Sequence, residues 1–165
     1  MPLVAELLEP VMILLNAVPR VVLAPLFVIW LGIGLASKVA VAFLLVAVLI
    51  FFTVFTGIRQ TDRRLVERIL TLGGGRQALL TEVYLPSVLA WVLGNLKVAV
   101  GFAFTGAVVG EFVAATRGLG YLLSFAQSTF NAALMLALVT VIMVVVLAIF
   151  GLAGALERRL LRWRG

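Results

Sequence analysis

Chemistry in this chain has few side chains to draw on. Its 165 residues contain no histidine and no cysteine, which excludes thiol chemistry, disulfides, haem ligation and nearly every transition-metal site. The acidic residues are dispersed and supply no clustered pair for general acid–base work. What the charged groups can do is pair, shape a turn and dock. They concentrate in one island, Arg59 to Glu82, set between long apolar runs. Within it Glu67 is followed six residues later by Gly73, and Pro86, preceded by Leu85, stands thirteen residues after that. The run Gly73-Gly74-Gly75 has neither the lysine nor the preceding strand of a phosphate-binding loop, so it reads as a turn.

A second set of polar residues falls inside an apolar stretch. Lys97 lies eleven residues beyond Pro86, about 16 Å along a continuous helix. At 100° per residue Lys97, Gly101, Phe104, Val108 and Glu111 share a face. A charge at that depth faces the bundle interior or snorkels, and by default marks a pathway. Two readings of Lys97 therefore stand: a solute path or gate, and structural ion pairing or snorkelling. Glu111 would border the same channel at its outer end.

The elements that must position these residues are membrane helices. With 64% hydrophobic and 12% charged residues, the chain cannot keep its surface in water, and the bilayer must be its solvent. Barrel strands would alternate apolar and polar, whereas Leu134 to Phe150 is apolar on every face, as a helix in lipid or in a bundle is. Four spans are predicted: Val21 to Ala36, Val39 to Gly57, Val88 to Gly110, and Ala132 to Leu156. Pro19 and Pro25 predict a bent first span, and Gly32-Ile33-Gly34 with Ser37-Lys38 a tight outer turn into the second.

Thr61-Asp62 is placed to cap a short amphipathic helix over Arg63 to Leu72, with Leu65, Ile69 and Leu72 on one stripe. After the glycines, Arg76 to Tyr84 leads to Pro86, so the island is a folded protrusion. Arg117 to Tyr121 is read as a turn, and Leu122 to Ser128 as a short helix at the outer face. Trp30, Trp91 and Trp163 are read as interface anchors. Asn95, Thr105, Gln127 and Asn131 are read as helix–helix hydrogen-bonding groups.

Orientation follows from Lys and Arg, which stay on the cytoplasmic side of short loops. Placing the island inside gathers Arg20, Arg59, Arg63, Arg64, Arg68, Arg76, Arg158, Arg159, Arg162 and Arg164 on one side and leaves Lys38 and Arg117 outside. The formal net charge of +6 is then a matter of topology and calls for no nucleic acid. MPLVAELLEP has neither a basic start nor a cleavage site and does not read as a signal peptide; Leu3 to Ala17 reads as an approach to the first helix.

The island resembles the "EAA" loop of ABC-importer permeases, the segment that docks into the ATPase subunit. Pro19 to Gly34 with Ser37-Lys38, Gly57 with Asp62, Glu111-Phe112, Arg117-Gly-Leu-Gly-Tyr121 and Leu156-Glu-Arg-Arg159 are similar to the nitrate, sulfonate and taurine subfamily. Three positions depart from the motif: Arg68 and Ile69 stand where its glutamate is followed by alanines, and Gly74 replaces an alanine. The resemblance implies an all-α polytopic bundle, a single permease domain over 1–165 of type I importer form, N-terminally shortened by about two spans.

It also implies a multi-pass protein of the bacterial inner membrane with a cytoplasmic C-terminus, importing a small anionic solute without a cofactor or metal of its own. ATPase coupling would run through the loop 59–86 by Asp62, Glu67, Gly73, Leu85 and Pro86, with Glu67 organising the loop by ion pairing. Implied partners are ATP-binding cassette ATPase subunits that hydrolyse the ATP, an extracytoplasmic solute-binding protein, and a second permease copy in a homodimer. The competing reading is a truncated or degenerate permease fragment acting as a membrane scaffold.

Overall fold

The computed structural model describes Pro10, Leu14 and residues 17–160. The expectations for Glu6, Glu9, Arg162, Trp163 and Arg164, and for the side chains of Arg158 and Arg159, lie outside the described residues. Every element from Arg20 onward is helical. A 3-10 turn, Arg20–Leu23, runs into α1, Ala24–Leu31; α2 is Leu35–Arg59 and α3 Arg63–Thr71. A composite helix, α4, covers Arg76–Gly94, followed by α5, Leu96–Val113, α6, Leu119–Ser128, and α7, Ala132–Leu160.

Four helices among the described residues are long and apolar enough to cross a membrane: Leu35–Arg59, Arg76–Gly94, Leu96–Val113 and Ala132–Ala155. The expected span from Val21 to Ala36 is not one of them. Pro25 sits in the first turn of α1, where no amide is required, and Gly32 ends the helix with φ +76°. The apolar helix Arg20–Leu31 is left at no more than about 24 Å even with its first turn wound as 3-10, short of the roughly 30 Å hydrocarbon layer.

The expected span from Val88 to Gly110 is interrupted at Asn95, whose ψ of 8° departs from helical geometry. The two segments nevertheless follow one another along a single neighbour. From Gly57 to Ala42 to Lys38 on α2, the contacting positions move from Val88 and Trp91 to Gly106 to Gly110. One antiparallel partner therefore spans the length of α2, and this register sets Lys97 about level with Phe51, near the middle of α2.

Apolar character cannot choose which face of these helices packs, because all faces are apolar. Small residues choose it, by letting backbones approach. A Cβ on Gly106 would stand 2.5 Å from Ala42 Cα, and one on Gly110 3.0 Å from Lys38 Cα. The facing stripe of α2, Ser37, Val41, Leu45 and Val48, recurs at helical spacing and is buried. Gly106→Ala should destabilise the bundle by about 1–3 kcal/mol, the range for overpacking a close contact. Thermal unfolding in detergent measures it, and an unchanged midpoint would contradict this backbone contact.

Polar side chains along these helices bond locally, as they must where no water competes. Thr53 and Thr105 hydroxyls donate to Leu49 and Gly101 carbonyls at 2.9 Å. Asn95 Nδ2 donates to Trp91 O at 2.9 Å, and Asn131 Oδ1 accepts from Leu134 N at 2.9 Å, capping α7. Thr105, Asn95 and Asn131 thus serve their own helices and not helix–helix bridges. Trp91 packs on Gly57 near the charged-island end of α2, and Trp30 is exposed and meets Phe27 edge-on.

Candidate functional site

The charged island folds as two short helical pieces around a glycine turn. Asp62 is the N-cap of α3, its Oδ1 accepting from Arg64 N at 2.8 Å. At the other end Gly73 adopts φ +79°, donating to Leu70 O at 3.0 Å while Gly74 donates to Ile69 O at 2.9 Å. This is a Schellman C-cap, whose left-handed residue is glycine because a side chain would cost about 1 kcal/mol or more there. Gly74 is required for a different reason: a Cβ would meet Ile69 Cγ2 at 2.5 Å and Ile69 O at 2.8 Å. Two adjacent departures from the motif, Ile69 and Gly74, thereby fit each other.

Leu65, Leu70 and Leu72 are exposed, while Val66 and Ile69 turn inward. The expected stripe of Leu65, Ile69 and Leu72 is therefore split between the two faces. Glu67 is exposed and, among the described residues, has no ion-pair partner, so it does not organise the loop by ion pairing. Its carboxylate and three leucines form a surface left uncovered among the described residues.

Leu85-Pro86 joins this surface to the membrane helix. Proline in a helix clashes with the carbonyl four residues back and removes an amide; here Leu79–Tyr84 widens into π-helix, with Leu85 N bonding to Leu80 O. The wider turn accommodates Pro86, and nothing in residue spacing alone announces it. Ser87 then ties the junction to α2, donating to Gly57 O at 3.2 Å beside Thr61, which donates to the same carbonyl at 3.0 Å.

A helical bundle carrying this capped protrusion fits a known family over almost its whole length: residues 1–162 match the binding-protein-dependent transport system inner membrane component. The chain belongs to that family. It is 39% identical over 96% of its length to the riboflavin transport system permease protein RibX of Chloroflexus aurantiacus, covering 59% of that protein. It is 33% identical over 94% of its length to the formylaminopyrimidine transport permease protein ThiX of Halalkalibacterium halodurans, covering 62% of it. With the taurine transport system permease protein TauC of Escherichia coli it shares 31% identity over 99% of its length and 60% of that protein. The chain thus spans about three-fifths of the length of these relatives.

The other residues singled out from the sequence divide between the two ends of the bundle. Lys97 and Phe104 are partly exposed on α5. Gly101 faces α7, where a Cβ would stand 3.0 Å from the Phe150 ring. Glu111 lies at the end opposite the island, clamped among three helices. Its Oε2 accepts from Gly120 N at 3.1 Å, and its Oε1 stands 3.9 Å from Lys38 Nζ. Gly118, with φ +119°, has no room for a side chain because the Glu111 carboxylate packs on it, and Gly120 has none because it lies against the α5 backbone at Val108 and Phe112 and the Glu111 Cβ. The Gly118 and Gly120 positions expected in a turn thus open α6, which begins at Leu119.

The Lys38–Glu111 pair joins residues far apart in sequence and was not foreseen. The sequence carries a coarse signal for it, since the charge distribution places Lys38 outside and the helical face of Lys97 places Glu111 at the outer end, but nothing in residue spacing joins the two.

Proposed function

We propose that this chain is the transmembrane subunit of an ATP-driven importer, coupled to a separate ATPase through the loop 59–86 and passing a small anionic solute received from an extracytoplasmic binding protein. The observation that carries the coupling is the capped α3–Gly73 turn, which presents Glu67, Leu65, Leu70 and Leu72 to a partner. ATP-driven closure of two ATPase subunits would draw two such loops together and switch paired permeases, most simply a homodimer, between inward- and outward-open states. The solute path is assigned to the α5 face of Lys97, Gly101, Phe104 and Glu111. The anionic class is supported by TauC and by the putative aliphatic sulfonates transport permease protein SsuC of Bacillus subtilis, 32% identical over 163 residues.

Co-purification with the nucleotide-binding subunit tests the coupling: a chain that inserts but retains no ATPase is a scaffold. Direction is tested by labelling, which is clean because the sequence has no cysteine. Ser37, in the first turn of α2, is 1% exposed and unsuitable, whereas Leu35 and Leu72 are both 76% exposed at opposite ends. In intact cells an impermeant thiol reagent should modify Leu35→Cys and spare Leu72→Cys. The reverse pattern would put the loop on the wrong side for an ATPase and the C-terminus outside.

A further inference from the structure

At the end opposite the charged island, a cleft of about 680 Å³ opens between the α1–α2 turn and the α5–α6 connection, lined by Ile33, Lys38, Glu111, Thr116, Arg117 and Gly118 among others. This volume suits a small solute. Its charge is unbalanced: one carboxylate faces two cations. Glu111 has already committed Oε2 to Gly120 N, and at 3.9 Å its Oε1 is beyond the roughly 2.7–2.9 Å of a charge-assisted hydrogen bond to Lys38. The Lys38 ammonium therefore keeps donors that Glu111 does not occupy. Arg117 is exposed and, among the described residues, has no ion-pair partner.

The floor beneath these groups is set by close packing. Glu111 fills the space at Gly118, the α5 backbone and Glu111 together close that at Gly120, and Gly110 brings α5 onto the Lys38 backbone. The net single positive charge and the small volume define what fits: one carboxylate or sulfonate group on a small molecule, received by Lys38 and Arg117, with Glu111 positioning Lys38.

We propose that this cleft is a binding site for a small organic monoanion, the place where the solute first rests on the permease before the α5 path. The placement before the path rests on the importer reading, whereas binding itself needs neither the ATPase nor transport.

The test uses the full chain with Thr116→Cys, an exposed cleft position, in neutral-lipid nanodiscs. Modification rates are compared for methanethiosulfonates carrying a sulfonate, a trimethylammonium or no charge, with ethanesulfonate as the occupant. The sulfonate-to-uncharged rate ratio should fall about fivefold when Arg117→Gln is added, the size of a unit-charge interaction of about 1 kcal/mol in high dielectric, and the sulfonate-to-ammonium ratio about twenty-five-fold, because the two reagents feel the lost charge with opposite sign. Ethanesulfonate should slow even the uncharged reagent, tetraethylammonium should not, and the protection should be lost in Arg117→Gln.

A charge effect without protection would overturn the proposal, since it means a positive surface and no site. Protection that survives Arg117→Gln would overturn the assignment of the ligand to these residues. Failure of ATPase co-purification with ethanesulfonate protection intact would remove the importer reading and leave the site standing, and the converse result would remove only the site.

Discussion

Replacing Gly73 by proline should abolish assembly with the ATPase while leaving membrane insertion intact. Gly73 holds φ +79° and its amide bonds to Leu70 O at 3.0 Å. Proline fixes φ near −65° and has no amide, so both features are lost, at a local cost of about 3 kcal/mol or more. The C-cap of α3 would unwind and turn its docking face away. No other group approaches within 4 Å of a Cβ at this glycine, so the disturbance has no packed route into the bundle.

Glu67→Ala is the companion experiment, because it separates docking from folding. The side chain is exposed and makes no ion pair among the described residues, so truncation should change stability by no more than about 0.5 kcal/mol. Coupled ATPase activity per inserted chain should nevertheless fall about tenfold, as expected where a charge contact worth about 1.4 kcal/mol is made with a partner. Normal assembly and uptake in both variants would remove the loop as the docking element.

The second large effect is expected at Lys97. Its register beside α2 sets it near mid-span, about level with Phe51, and a cation kept at such depth costs several kcal/mol unless it is paired, hydrated or snorkelling. Lys97→Met keeps the apolar stem and removes the charge. On the pathway reading, uptake of an organic anion per assembled complex should fall about tenfold, equivalent to about 1.4 kcal/mol, with expression and ATPase assembly unchanged. On the structural reading, uptake per complex stays constant and only yield or thermal stability moves. Normalised uptake decides between them, and a constant value takes Lys97 off the solute path.

What could be read from residues alone was local or compositional. Asp62 as a cap, a helix over Arg63 to Leu72 and the Gly73 turn need only neighbours a few positions away, and the structure forms all three. The helical class followed from apolar runs without alternation. Membrane partition responds to composition and length, however, and these do not distinguish a crossing helix from one stopped early. Gly32 and the prolines decided that between Arg20 and Leu31.

Only tertiary structure could show which faces meet, because lipid-soluble helices carry no polar face to orient them. The glycines at 57, 106 and 110 set the antiparallel register of α2 against α4 and α5, and that register carries Lys38 to Glu111 and brings Arg117 to the same cleft. The π-helical turn before Pro86 likewise depends on how the backbone relieves a clash, which residue spacing does not encode. The sequence alone determined a membrane bundle with a capped protrusion; packing decided which charges share an end, because charges far apart in sequence meet only where glycine lets two backbones touch.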